Sequence, residues 1–138
     1  MVELTDQAID VAAVRASVSD DGFGAILVFE GVGRNHFDGR PVTHLEYEAY
    51  PEMAVPVLQA IADEVAEKWP GAKASLVHRT GPVAIGEPSV VIAVATPHRA
   101  ECYDASRYAI EALKERLPVW KKEIYDDGSA WKANAPTS

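Results

Sequence analysis

The sequence predicts an α+β fold rather than a doubly wound parallel sheet. Strand-like segments follow one another over residues 23–50, and again over 72–96, without a helix between them. Two long segments, 51–69 and 98–116, carry helical periodicity. Near the end, Asp127-Gly128 stands between two short β-prone stretches, a hairpin signal. The 138 residues fit one domain, 1–138, and a chain of this size can bury a core without disulfide or metal staples.

In chain order, Asp10 is placed to cap a short helix over 11–18, with Val11, Val14 and Val18 on one face. Asp20-Asp21-Gly22 breaks it. Residues 23–32 (FGAILVFEGV) are branched and aromatic, and their continuous apolar centre reads as a buried strand. A polar loop is expected over 33–41. Residues 42–50 alternate roughly and are read as a strand paired with the preceding one. Pro51 suits a first helical turn. The helix should run to about Trp69, with Met53, Val57, Ala60, Ile61, Glu64, Val65 and Lys68 giving its period near 3.6 and Pro56 kinking it or delaying its start. Pro70-Gly71 ends it.

A strand follows over 72–80, then a loop opening at Gly81-Pro82 and a turn at Gly86-Glu87-Pro88. Residues 89–96 (SVVIAVAT) form the most apolar strand. Thr96 and Pro97 read as N-cap and first position of a helix running from about His98 to Arg116, and Pro118 stops it. Strands over 119–125 and 129–132 flank the Asp127-Gly128 turn, and the tail 133–138 is expected to fray.

Hydrophobic residues make up 48% of the chain and charged residues 25%, a soluble-globular mix that excludes disorder and collagen-like repeats. No apolar run reaches the ~18–20 residues of a membrane helix. The opening MVELTDQAID lacks the basic and apolar regions of a secretory signal. A lone cysteine, Cys102, excludes an internal disulfide framework. The expected compartment is the cytoplasm.

The net charge of −8 argues against nucleic-acid binding. It is unevenly distributed. Residues 98–122 hold six basic and four acidic residues, so this segment is +2 and the remainder −10. Two readings of the segment stand: ordinary pairing on a helix surface, or an anion pocket. His98-Arg99 favours the second, because it sits at a predicted helix N-terminus, where free N–H groups and the helix dipole receive anions. Lys114 shares a helical face with Arg99 but lies ~22 Å along the axis from it. Lys121 follows on the next strand. The four histidines are not spaced as paired metal ligands, Gly31-Val32-Gly33-Arg34 is neither a Walker loop nor a dinucleotide fingerprint, and Cys102 reads as a small buried side chain. No metal or cofactor is called for.

Five motifs in order carry a family resemblance: Gly31 to His36 (GVGRNH), Leu45 to Ala54 (LEYEAYPEMA), Val77 to Gly81 (VHRTG) with Gly86, Ala95 to Arg99 (ATPHR), and Leu113-Lys114 through Pro118 to Glu123 (PVWKKE). Over nearly its whole length the chain resembles the large, catalytic subunit of molybdopterin synthase. The resemblance implies an α/β hammerhead fold and a homodimer. A small ubiquitin-like sulfur carrier binds at each end of that dimer, making a heterotetramer. The carrier's Gly-Gly C-terminus bears a thiocarboxylate, from which two sulfurs pass to cyclic pyranopterin monophosphate to form the molybdopterin dithiolene. By position, Lys114 and Lys121 match the family's active-site lysines, and Arg34, His98 and Arg99 its basic substrate pocket. The other class of reading is a diverged, non-catalytic module that binds a ubiquitin-like tail. Two departures stand out. Gly33 replaces the usual valine before Arg34, which should loosen that loop. The tail lacks the arginine that in the family reaches the neighbouring protomer, so either Lys132 substitutes for it or that contact is absent.

Overall fold

The computed structural model describes residues 1–134. Two sheets and three helices make up the α+β architecture. The first sheet is ordered β1 (Val2–Thr5), β5 (Lys73–Arg79), β7 (Pro88–Thr96), β2 (Ala25–Val32). Only the β1–β5 pair in it is parallel. The second is wholly antiparallel: β3 (His36–Phe37), β4 (Arg40–Glu48), β8 (Trp120–Tyr125) and β9 (Ala130–Asn134), with β6 (Gly81–Ala84) also on β4.

The first sheet is covered on both faces. On one, α1 (Val11–Ala16) and the turn after it set Val14 and Val18 against Val77, Val91, Ala93 and Ala95. On the other, α2 (Pro51–Lys68) and α3 (Arg99–Arg116) pack Leu58, Ile61, Val65, Ala109 and Leu113 over Leu76, Val90, Ile92 and Val94. This is why β7 shows no polar alternation: a strand with apolar neighbours on both faces has no face to give to water. The α3 stripe of Cys102, Ala105, Ala109 and Ala112 is small, which lets the helix lie close on the sheet.

Several sequence expectations change. β1 was not expected. β4 does not pair with β2; the two belong to different sheets, and β2 pairs with β7 instead. β2 is an edge strand and half-buried rather than buried, its alternate residues serving the two cores: Leu27 and Phe29 one, Ile26 and Val28 the other. The stretch read as a loop over 33–41 contains the β3–β4 hairpin, turned at Asp38 (φ 48°) and Gly39 (φ 75°), the two left-handed positions a tight hairpin needs. Gly81-Pro82 opens a strand, β6, not a loop.

The helices also differ in detail. α2 begins at Pro51 and runs through Pro56, whose exposed ring sits on the solvent side. Its buried stripe is Ala54, Leu58, Ile61 and Val65: Ile61 and Val65 are as expected, but Ala54 and Leu58 take the places expected of Met53 and Val57, leaving Met53 50% exposed. Helix α3 is capped at His98, two residues later than expected, because the Thr96 hydroxyl donates to the His98 carbonyl (2.6 Å) instead of to a capping role. The Asp127-Gly128 hairpin forms, with Glu123 opposite Trp131. The tail expectation falls partly on β9, which orders Ala133 and Asn134; residues 135–138 and the Lys132 side chain lie outside the described residues.

Candidate active site

A cleft of ≈ 350 Å³ opens between the two sheets. Three elements bring cations into it: the loop after β2 supplies Arg34, the last turns of α3 supply Lys114, and β8 supplies Lys121. Strand geometry selects the β8 residues. Successive side chains alternate faces, so Lys121 and Glu123, with their cross-strand partners Tyr47 and Leu45, face the cleft. Lys122 turns the other way and pairs with Glu46 (3.7 Å).

This sorts the basic segment. Arg107 pairs with Glu111 along the helix surface (3.8 Å). Arg116 grips Glu64 through two hydrogen bonds of 2.7 and 2.8 Å, and Tyr108 donates to the same carboxylate. Both readings of the segment therefore hold, for different residues: three cations are surface partners, while Lys114 and Lys121 are half-buried in the cleft.

The two lysines and Arg34 feel one another's charge. Burial holds the Lys114 ammonium below the usual lysine range, and the neighbouring Lys121 lowers it further. Burial likewise lowers Lys121; Glu123 opposes that and Arg34 adds to it. Three cations against one carboxylate make a cleft that an anion relieves. A lysine whose proton affinity is lowered also gives up its proton more readily.

Glu123 was missed as a site residue, although it closes the last motif. It is 3% exposed, and its Oε1 is shielded from solvent without a hydrogen-bond partner. The period of two from Lys121 was the signal that could have found it. Tyr47 was missed as well. It lies edge-on to buried His78 (5.3 Å between ring centres), and burial raises its phenol above the usual range.

His98 and Arg99 do not join this cleft. Both are exposed at the opposite end of α3 from Lys114. Cys102 is buried and donates its S–H to the Val94 carbonyl (3.3 Å), and burial pushes the thiol up. That disfavours a thiolate nucleophile. Among the described residues, no group of His, Cys, Asp and Glu is placed to hold a metal ion, and no helix is long and apolar enough to cross a membrane.

The expectation of a loosened Arg34 loop is corrected. A Cβ on Gly33 would stand 2.4 Å from Leu45 Cδ1 and 3.8 Å from Ile85 Cδ1. Leu45, itself buried, fills the space a side chain would take, so the glycine marks close packing rather than freedom. Gly33→Val is expected to destabilise the fold by about 1–3 kcal/mol through overpacking, and Leu45→Ala in the same chain to return part of that loss. Urea unfolding of both variants checks this; a higher midpoint for Gly33→Val alone would refute it.

Fold and cleft together define an α+β protein of hammerhead type with a cation-lined cleft between its sheets. Comparison with known proteins makes this particular. The family model described as MoaE protein matches residues 4–116. The molybdopterin synthase catalytic subunit of Bacillus subtilis (strain 168) is 46% identical over 129 residues, 94% of this chain and 82% of that one. The crystal structure of molybdopterin synthase from Staphylococcus aureus superposes with a TM-score of 0.91 at 43% identity, covering 95% of each chain. A chain of the complex of subunits 1 and 2 of the molybdopterin-converting factor from Helicobacter pylori 26695 shares the fold, with TM-score 0.79 at 20% identity over 96% of this chain and 89% of that one. The chain belongs to the MoaE family, that of the molybdopterin synthase catalytic subunits.

Proposed function

We propose that this chain is the sulfur-transferring subunit of a molybdopterin synthase. It accepts the C-terminal thiocarboxylate of a small ubiquitin-like carrier, one sulfur per carrier, and two such carriers in succession supply the two sulfurs that turn cyclic pyranopterin monophosphate into the dithiolene. The observation that carries this reading is the convergence of Lys114 and Lys121, from a helix and a strand distant in sequence, beside Arg34 in one cleft.

Both ligands are anions. Lys114 holds the thiocarboxylate while its sulfur bonds to a pterin carbon, then steadies the oxyanion formed when water attacks the acyl carbon. The acyl C–S bond breaks, the sulfur stays on the pterin, and the carrier leaves as a carboxylate, with Lys114 exchanging a proton there. Lys121 binds the intermediate. Arg34 holds the phosphate of the pterin substrate. The carrier supplies the sulfur, so no protein nucleophile is required, in keeping with the buried Cys102. An extended tail has a route in: an open groove of ≈ 580 Å³ along α3 shares Phe29 and Lys114 with the cleft.

His98 and Arg99 belong to this reading through a second copy of the chain. In a homodimer they complete the basic pocket across the interface, which accommodates their distance from Lys114 on one helix. The Helicobacter pylori two-subunit complex supports a small-subunit partner, and a heterotetramer of two large and two small subunits follows. The working compartment is the cytoplasm.

The test is reconstitution. Purified protein, thiocarboxylated carrier and cyclic precursor should yield the dithiolene product; background turnover despite tight carrier binding would leave a non-catalytic tail-binding module. Arg34→Ala is expected to raise KM for the precursor roughly tenfold or more, as loss of a charge-assisted contact does, while carrier affinity stays unchanged. Equal loss of both would reassign Arg34.

A further inference from the structure

The half-buried ion pair between Arg79 and Glu87 lies outside the cleft, and the roles proposed above do not use it. Arg79 ends β5 with its side chain only 13% exposed, and its Nη1 stands 3.3 Å from Glu87 Oε2. Glu87 Oε1 accepts a hydrogen bond from the Ala84 N–H (2.9 Å). The Glu87 N–H in turn donates to the Ala84 carbonyl (3.0 Å). One carboxylate thus ties both ends of the turn between β6 and β7.

That turn faces the loop carrying Arg34. Its Gly86, at φ +86°, donates its N–H to the Gly33 carbonyl (3.3 Å). Ile85 of the same turn lies against Gly33. On the far side, the Asn35 carbonyl accepts from the Val42 N–H (2.8 Å). Arg34 itself is exposed. Its backbone is therefore clamped just before and just after, and the clamp before it depends on the shape of the turn at 84–87.

We infer that Glu87, anchored by Arg79, is a positioning residue: it fixes the 84–87 turn so that Gly86 holds the Gly33 carbonyl and sets where the Arg34 guanidinium reaches into the cleft. The inference rests on the reading of Arg34 as the phosphate-holding residue. The chain of contacts is short. An ion pair links Glu87 to Arg79, whose guanidinium Nε and Nη1 make no hydrogen bond, and directional hydrogen bonds carry the rest, from Ala84 to Glu87 and from Gly86 to Gly33. The Ala84 N–H, and after it the Arg79 guanidinium, favours the ionised carboxylate and holds its proton affinity below the usual carboxylate range. An ion pair this shielded on the arginine side is also less screened than the exposed pairs elsewhere on the surface.

A double-mutant cycle tests it. Arg79 is too buried for a clean variant, but the Glu87 side chain is 42% exposed and its removal leaves no core cavity. Glu87→Ala is expected to raise KM for the cyclic precursor about 3–30-fold, with kcat within about twofold of the parent and carrier affinity unchanged. In the Arg34→Ala background, Glu87→Ala should add nothing, because the group it positions is gone. Two results would overturn the inference while sparing the reading of the cleft: a silent Glu87→Ala beside a damaged Arg34→Ala, or a Glu87→Ala loss that multiplies in full onto Arg34→Ala. A silent Arg34→Ala sinks the reading of Arg34, and this inference with it.

Discussion

Lys114→Ala is expected to slow formation of the dithiolene product by about 10²–10³-fold in single-turnover assays with thiocarboxylated carrier, the loss typical of one oxyanion-stabilising donor. The protein should remain at least as resistant to heat. Lys114 stands half-buried beside the like charge of Lys121, and both effects lower its proton affinity, so removing it relieves repulsion rather than creating it. An activity loss without a stability loss separates chemistry from folding. Lys114→Arg should restore little, since a guanidinium holds charge but does not release a proton near neutral pH. The sign of the coupling gives a second readout. Lys121 depresses Lys114, so in Lys121→Gln the pKa of Lys114 should rise toward the ordinary lysine value. The pH at which amine-selective labelling of Lys114 half-saturates would move upward. A labelling curve unchanged by Lys121→Gln, or a Lys114→Ala enzyme of parental rate, would remove Lys114 from the reacting centre.

How far this site could be read from the chain depends on which physics places each residue. Motif order in the chain marks Lys114 and Lys121, and both lie in the +2 segment. Their convergence is a tertiary fact: α3 must lie on the first sheet and β8 on the second before a helix end and a strand can share a cleft. Local patterns predicted the helices and the apolar β7, because burial against both neighbours leaves an unbroken apolar run. They misassigned β2 and β4 as a pair, since closeness in sequence favours neighbours, whereas register here is set by β7 and β8, both distant in sequence. β1 was missed because four residues carry little periodicity and its partner, β5, begins about 70 residues later. Gly33 carries the same lesson. Its sequence context implied backbone freedom, but what requires the glycine is the Leu45 side chain arriving from another strand.

Mild acid is expected to weaken the fold through His78, before the carboxylates contribute. His78 is 1% exposed, donates its Nδ1–H to the Arg79 carbonyl (2.8 Å) and packs against Tyr47. Burial, with the charge of Lys114 adding to it, lowers its pKa from 6.5 to about 4. The unfolded chain therefore binds a proton that the folded chain refuses between pH 6.5 and about 4. In that window stability rises with pH and is lost as pH falls, at up to ~1.4 kcal/mol per pH unit and ~3 kcal/mol in all. Glu64, held at about 2 by Arg116 and Tyr108, begins to lose its share only below its ordinary 4.5, so the two windows scarcely overlap. Urea midpoints at pH 7, 6 and 5 should fall steadily in the parent protein. They should change much less in His78→Gln, which starts from a lower midpoint because its amide must occupy a site shaped for an imidazole. A parent midpoint that is flat from pH 7 to 5 would mean that His78 is not held neutral by its surroundings.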